Sequence, residues 1–138
     1  MNEKNIVMDS TLTDDHSWSG ITESWAVGES VVFGQVVYFN FTDKEWKLAK
    51  ADAAATTPGM RIALESKADG ETCKLLIQGY IRDDSWNFTT KDVYLSDGTG
   101  GAVLSAAPSD SGDQVQRLGV AVHADKMYFD PSIDVGEI

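Results

Sequence analysis

Short apolar runs cut by turn residues constrain this chain more than any other feature. SVVFGQVVYFNF, from Ser30 to Phe41, is followed by TDKE and then WKLAK, the pattern of a strand, a turn and a returning strand. GMRIALESKADGETCKLLIQGYI places two further runs around Asp69-Gly70, a strong short hairpin signal. VYLS-DGTGG-AVLS and LGVAV-HAD-KMYF read as a third and a fourth hairpin. Alternation is clear in RIALES and VQRLGVAV, and no long segment repeats apolar residues at i, i+3, i+4 and i+7. Only ADAAA, Ala51 to Ala55, and SWSGITESW, Ser17 to Trp25, invite a helix, and both are short. The expectation is an all-β protein, a small barrel or paired-sheet, β-clip-like domain with an extended N-terminal arm.

A gapless offset lays residues 37–69 over 93–125. It matches Val37 with Val93, Tyr38 with Tyr94, Leu48 with Leu104, Arg61 with Arg117 and Asp69 with Asp125. Each copy reads as a hairpin, a small polar excursion and a further strand that ends in an Ala-Asp turn, which suggests two similar β units around one core. With 138 residues, 42% of them hydrophobic, the chain suits one domain rather than two. The predicted division is an arm over 1–27 and a single β domain over 28–138. The first 27 residues are polar and rich in Ser, Thr and Asp, with apolar anchors at Ile6, Val7, Leu12, Trp18, Ile21 and Trp25. Such segments often become ordered by laying their anchors into a partner.

The formal charge is −11, from 22 acidic and 11 basic residues. A surface this acidic repels phosphodiester backbones and anionic lipid heads, so neither nucleic acid nor membrane is an expected partner. No apolar run is long enough to cross a bilayer, and MNEKNIVMDSTLTDD lacks the basic and apolar regions of a signal peptide, so synthesis and solubility in a cytoplasm are expected. Cys73, the single cysteine, lies within CKLLI and reads as a small buried hydrophobe.

No chemical constellation emerges. The glycine-rich DGTGG is followed by Ala102, Val103 and Leu104 rather than the Lys and Ser/Thr of a phosphate loop, and Asp97 would put a negative charge at the mouth of the anion site. A nucleophilic triad needs a histidine, and only His16 and His123 are present, with no elbow motif around any serine. Asp14-Asp15-His16 and Asp83-Asp84 are acidic pairs without the spacing of a calcium loop, and nothing singles out two carboxylates for sugar hydrolysis. Catalytic, cofactor and metal residues are therefore expected to be absent, and the protein is read as a non-enzyme. The tryptophans Trp18, Trp25, Trp46 and Trp86 offer interface anchors or sugar-stacking faces. Trp46 lies in a predicted strand, and Trp86, in DDSWNFTT, is freer.

The run VYLSDGTGGAVLSAAPSDSGDQVQRLGVAVHADKMYFDPS resembles a pattern in structural proteins of tailed bacteriophages. There a strand leads to a Gly turn, a Pro-Ser excursion, "sGd.vq.lG.a" and an aromatic "yF.Ps" end. The matching residues are Val93–Ser96, Gly101, Ala107–Ser109, Gly112-Asp113, Val115-Gln116, Leu118-Gly119 and Tyr128–Ser132. Upstream, PGMRIALESKADGETCKLLIQGYI is similar to a recurring stretch of head decoration, or cement, proteins, although Met60-Arg61 stands where that family more often has Ile-Gly. The resemblance spans about Gly28 to Ser132. It implies a compact β domain, often a homotrimer, that sits on the capsid of a virion assembled in a host cytoplasm and clamps neighbouring major capsid proteins. The interface residues expected on this reading are Ile6, Val7, Leu12, Trp18, Ile21, Trp25 and Trp86. A tail or fibre module that binds a receptor or carbohydrate through Trp86 is the alternative.

Overall fold

A computed structural model describes residues 8–138. The architecture is all-β, with eleven strands among the described residues: β1 (Ser17–Ala26), β2 (Val36–Asn40), β3 (Glu45–Leu48), β4 (Arg61–Ala63), β5 (Thr72–Arg82), β6 (Asp92–Leu95), β7 (Val103–Leu104), β8 (Gln114–Val115), β9 (Arg117–His123), β10 (Lys126–Phe129) and β11 (Gly136–Glu137). Among the described residues the helical content is one 3-10 turn at Ala54–Thr56, overlapping the end of the predicted ADAAA region. All four hairpins read from the turn signals form antiparallel pairs: β2 with β3, β4 with β5, β6 with β7 and β9 with β10. The glycine-rich DGTGG joins β6 to β7. Its Gly101 N–H donates to the Ala49 carbonyl and its carbonyl accepts from Val36 N–H, which ties the turn to the first hairpin.

The sheet divides at β5. Leu76 pairs with Thr22 of β1 and with Ile62 of β4, whereas Ile81 pairs with Trp18 of β1 and with Met127 of β10. β1 thus runs along one edge of β5, and β4 and β10 share the opposite edge end to end. From there two wings extend, β4-β2-β3 and β10-β9-β6-β7. Each has the same strand order outward from β5 or β10, and the offset that lays 37–69 over 93–125 carries β2, β3 and β4 onto β6, β7 and the start of β9. The pairing differs in detail: Val37 faces Leu48, but Tyr94 rather than Val93 faces Leu104.

β1 and β5 serve both wings because they bend together. Gly20 faces Gly79, and a bulge next to them leaves Ile77 of β5 unpaired. A Cβ at Gly20 would lie 2.2 Å from the Gln78 carbonyl oxygen, and one at Gly79 would lie 2.4 Å from that of Ser19. Gly79 also holds φ at +147°, a region that side chains rarely adopt. The two glycines let the backbones approach where the sheet turns its corner.

Pleating then splits the core in two. Val36, Ile62, Leu76, Ile81, Val93, Leu95, Leu118, Met127 and Phe129 fill the space between the wings. Their chain neighbours Val37, Ala63 and Leu75 point the other way, joining Val27, Val31, Trp46 and Cys73 inside the curl of the first wing. Each fully buried Val, Leu, Ile, Phe or Met contributes about 1.5–3 kcal/mol relative to exposure. That curl is a half-barrel, drawn together where Val27 bridges Trp46 and Gly28 N–H donates to the Trp46 carbonyl at 2.8 Å. Gln116, wholly buried, secures the crossing loops: its amide accepts from Gly59 N–H and donates to the carbonyls of Gly59 and Ser132, each at 2.7 Å.

The predicted boundary at residue 27 needs correction. Ser17–Ala26 is the ten-residue strand β1, paired along almost all of β5, rather than part of an arm or a helix, and Val27 is fully buried. The weak alternation of SWSGITESW reflects a strand half-buried on both faces, which conceals the period of two. Among the described residues no helix is long and apolar enough to cross a membrane.

Candidate interaction face

One face of the half-barrel gathers exposed aromatic area on a rigid base. Positions 21, 23 and 25 of β1 share a side, and that side is also the one carrying Cys73 and Leu75 of β5. Trp25 remains 42% exposed and Ile21 37% exposed. Trp25 meets Phe39 edge-on with ring centroids 5.7 Å apart, and Phe39 meets the buried Trp46 at 5.2 Å. The Trp25 indole N–H donates to the Lys44 carbonyl at 2.9 Å, which anchors the ring to the β2–β3 turn. At that turn Phe41 is 77% exposed, with the Lys44 ammonium 3.1 Å from its ring centroid. Between these aromatics Glu23 accepts from Arg61 at 2.5 Å, and the Arg61 guanidinium lies 5.0 Å from the Trp46 ring. The face thus combines rigid aromatic anchors with an arginine, residue types enriched at interfaces, and the arginine's charge is paired by Glu23.

The other expected interface residues lie elsewhere. Ile6 and Val7 fall outside the described residues. Leu12 is buried against its own chain, where its carbonyl accepts from Arg82 at 3.3 Å. Trp18 packs on the main core with the Lys74 ammonium 5.3 Å from its ring. Trp86 is half-buried, tilted against Phe88 at 5.3 Å. It also walls a cleft of about 260 Å³ with Gln35, Asp83, Ser85 and Thr99. Of the five that lie among the described residues, only Ile21 and Trp25 share the exposed face. Phe41 escaped sequence reasoning because VVYFNF reads as continuous strand, although the Thr-Asp-Lys-Glu turn behind it could have placed it at a hairpin tip.

Among the described residues, two groups of three His or Asp side chains come together in space. Asp15, His16 and Asp83 meet where the N-terminal segment crosses the loop after β5, and Asp97, Asp110 and Asp113 meet beside β8. Burial, and then the hydrogen bond with Asp97, push the Asp113 carboxyl above the usual range. At Arg82 the hydrogen bond to Asp84 chiefly strengthens the hold on its proton. The Cys73 thiol is pushed up by burial and donates to the Lys74 carbonyl at 3.3 Å, an inert setting that matches its expected role in the core.

Comparison with protein-family models, with curated proteins and with solved structures finds no match to this chain.

Proposed function

We propose that this chain is a virion structural protein that decorates a bacteriophage capsid, stabilising its exterior by clamping neighbouring major capsid proteins as a homo-oligomer, with a trimer the simplest form. The observation that carries the reading is the exposed Trp25 and Phe41, with Trp25 seated on the partly buried Phe39 and held by strand pairing and by the indole bond to Lys44. Rigid aromatics lose little entropy when covered, so such a face suits lasting attachment to another protein. The resemblance of Gly28 to Ser132 to decoration proteins supplies the partner, the major capsid protein.

The test is co-sedimentation with expanded capsids of the encoding virus, together with the temperature at which those capsids open. The wild-type chain is expected to bind and raise that temperature, and Trp25→Ala with Phe41→Ala to weaken binding by more than about 2 kcal/mol while the β fold persists. Absence of capsid binding by a folded chain that binds glycans overturns the proposal. A tail or fibre module is the second reading, favoured by the cleft that Trp86 walls beside Asp83 and Gln35, since an aromatic wall with polar neighbours suits a sugar ring. On that reading Trp86→Ala abolishes glycan binding and leaves oligomeric state unchanged.

A further inference from the structure

The two acidic pairs that look unremarkable along the chain meet in space. Asp15 and His16 come from the segment before β1, and Asp83 from the loop after β5. The His16 Nε2 lies 3.8 Å from Asp15 Oδ1 and 3.9 Å from Asp83 Oδ2, and the three ligand atoms all fall within 4.8 Å of one another.

Each member is held differently. The Asp83 side chain is only 8% exposed. Its Oδ1 accepts from Ser85 N–H at 2.9 Å and from Ser85 Oγ at 2.6 Å, whereas Oδ2 accepts no hydrogen bond among the described residues and faces His16. A Cβ at residue 34 would lie 2.7 Å from Oδ2, so Gly34 leaves that oxygen its room. Phe33 stacks on the His16 ring with centroids 4.6 Å apart and planes at 27°, which fixes the imidazole with Nε2 towards both carboxylates. Asp15 Oδ1 accepts the Asp84 N–H at 2.8 Å, which draws the N-terminal segment onto the loop. The nearby Arg82 guanidinium is committed to Asp84 at 2.7 Å and Asp125 at 3.5 Å.

We propose that Asp15, His16 and Asp83 form a site for a first-row divalent cation, which pins the segment before β1 to the loop after β5. Ligands on such an ion sit about 2.0–2.2 Å from it, hence about 3.3–3.6 Å from one another around a tetrahedron and about 2.8–3.1 Å around an octahedron. His16 Nε2 lies 3.8 and 3.9 Å from the two carboxylate oxygens, spacings that need to close by about half an ångström on the tetrahedral scale, and the Asp15–Asp83 spacing, within 4.8 Å, needs to close by up to about 1.5 Å. Asp15 and His16, both about half exposed, can make that movement while Asp83 stays fixed. One imidazole with two carboxylates suits zinc or manganese, and water completes the coordination. Calcium, which takes six to eight oxygens, gains little from the imidazole. The charge of −11 concentrates cations near the surface, but the selectivity comes from His16.

The test uses the full chain stripped of metal, titrated separately with Zn²⁺, Mn²⁺ and Ca²⁺ and followed by calorimetry and thermal melting. Zinc or manganese is expected to bind with one-to-one stoichiometry and to raise the melting temperature by several degrees at saturation. His16→Gln and Asp15→Asn each weaken binding by about tenfold or more, His123→Gln leaves it unchanged, and metal-free melting confirms that each variant is folded. Absence of one-to-one binding below millimolar metal, binding by a folded His16→Gln chain as tight as wild type, or a preference for Ca²⁺ that ignores His16 overturns the site.

Discussion

Gln116 shows how one side chain can hold a fold that has few long elements. Its amide satisfies the Gly59 N–H and carbonyl in the interior and the part-buried Ser132 carbonyl, so Gln116→Leu leaves two buried polar groups and one partly buried one without their partner. The expected loss is about 3 kcal/mol, measured by urea unfolding. Asp113 works in the opposite direction. Its raised carboxyl favours the folded state when protonated, so its contribution is greatest in acid and declines as pH rises from the ordinary carboxylate range through the raised folded value. Asp113→Asn is therefore expected to stabilise the protein at neutral pH, and the advantage should shrink as pH falls and wild type takes up its own proton. Unfolding curves for both chains at pH 7 and near pH 4 check this sign.

At the scale of elements, the paired bend of β1 and β5 decides the architecture. Gly20→Ala drives a methyl group against the Gln78 carbonyl and is expected to cost about 2–3 kcal/mol, readable as a lower urea midpoint with an unchanged slope. The four hairpins were legible because each turn residue cluster stands between runs of β-branched and aromatic residues, as Asp69-Gly70 does between β4 and β5. β1 was not, because Ser, Gly and Thr dilute its alternation and both faces are half-buried. Nor could local pattern reveal that Gly20 would face Gly79, a pairing of residues far apart in sequence. The interaction face was half legible: Trp25 and Ile21 stood out as apolar anchors in a polar stretch, but their alignment with Phe41 depends on the curl that brings β1 to the β2–β3 turn. The meeting of His16 with Asp83 is likewise a product of topology, since nothing in DDH or DD points to the other.

For the whole molecule, the shared β5 makes the two wings one cooperative unit. Removing residues 1–27 takes away β1, the buried Val27 and the bridge to Trp46, and is expected to abolish the folded state rather than merely detach a tail. Circular dichroism of the truncated chain checks this; a sharp melting transition near that of the full chain counts against it. The intact chain should lose tryptophan signal and strand signal in one coincident transition. β1 also gives the molecule a direction of strength. A pull on its N-terminal end runs along the strand axis, and β5, braced by both wings, resists with its ten paired residues strained together rather than one after another. Force applied along the β1 axis therefore loads these pairs in shear, so that they yield together instead of peeling apart one by one.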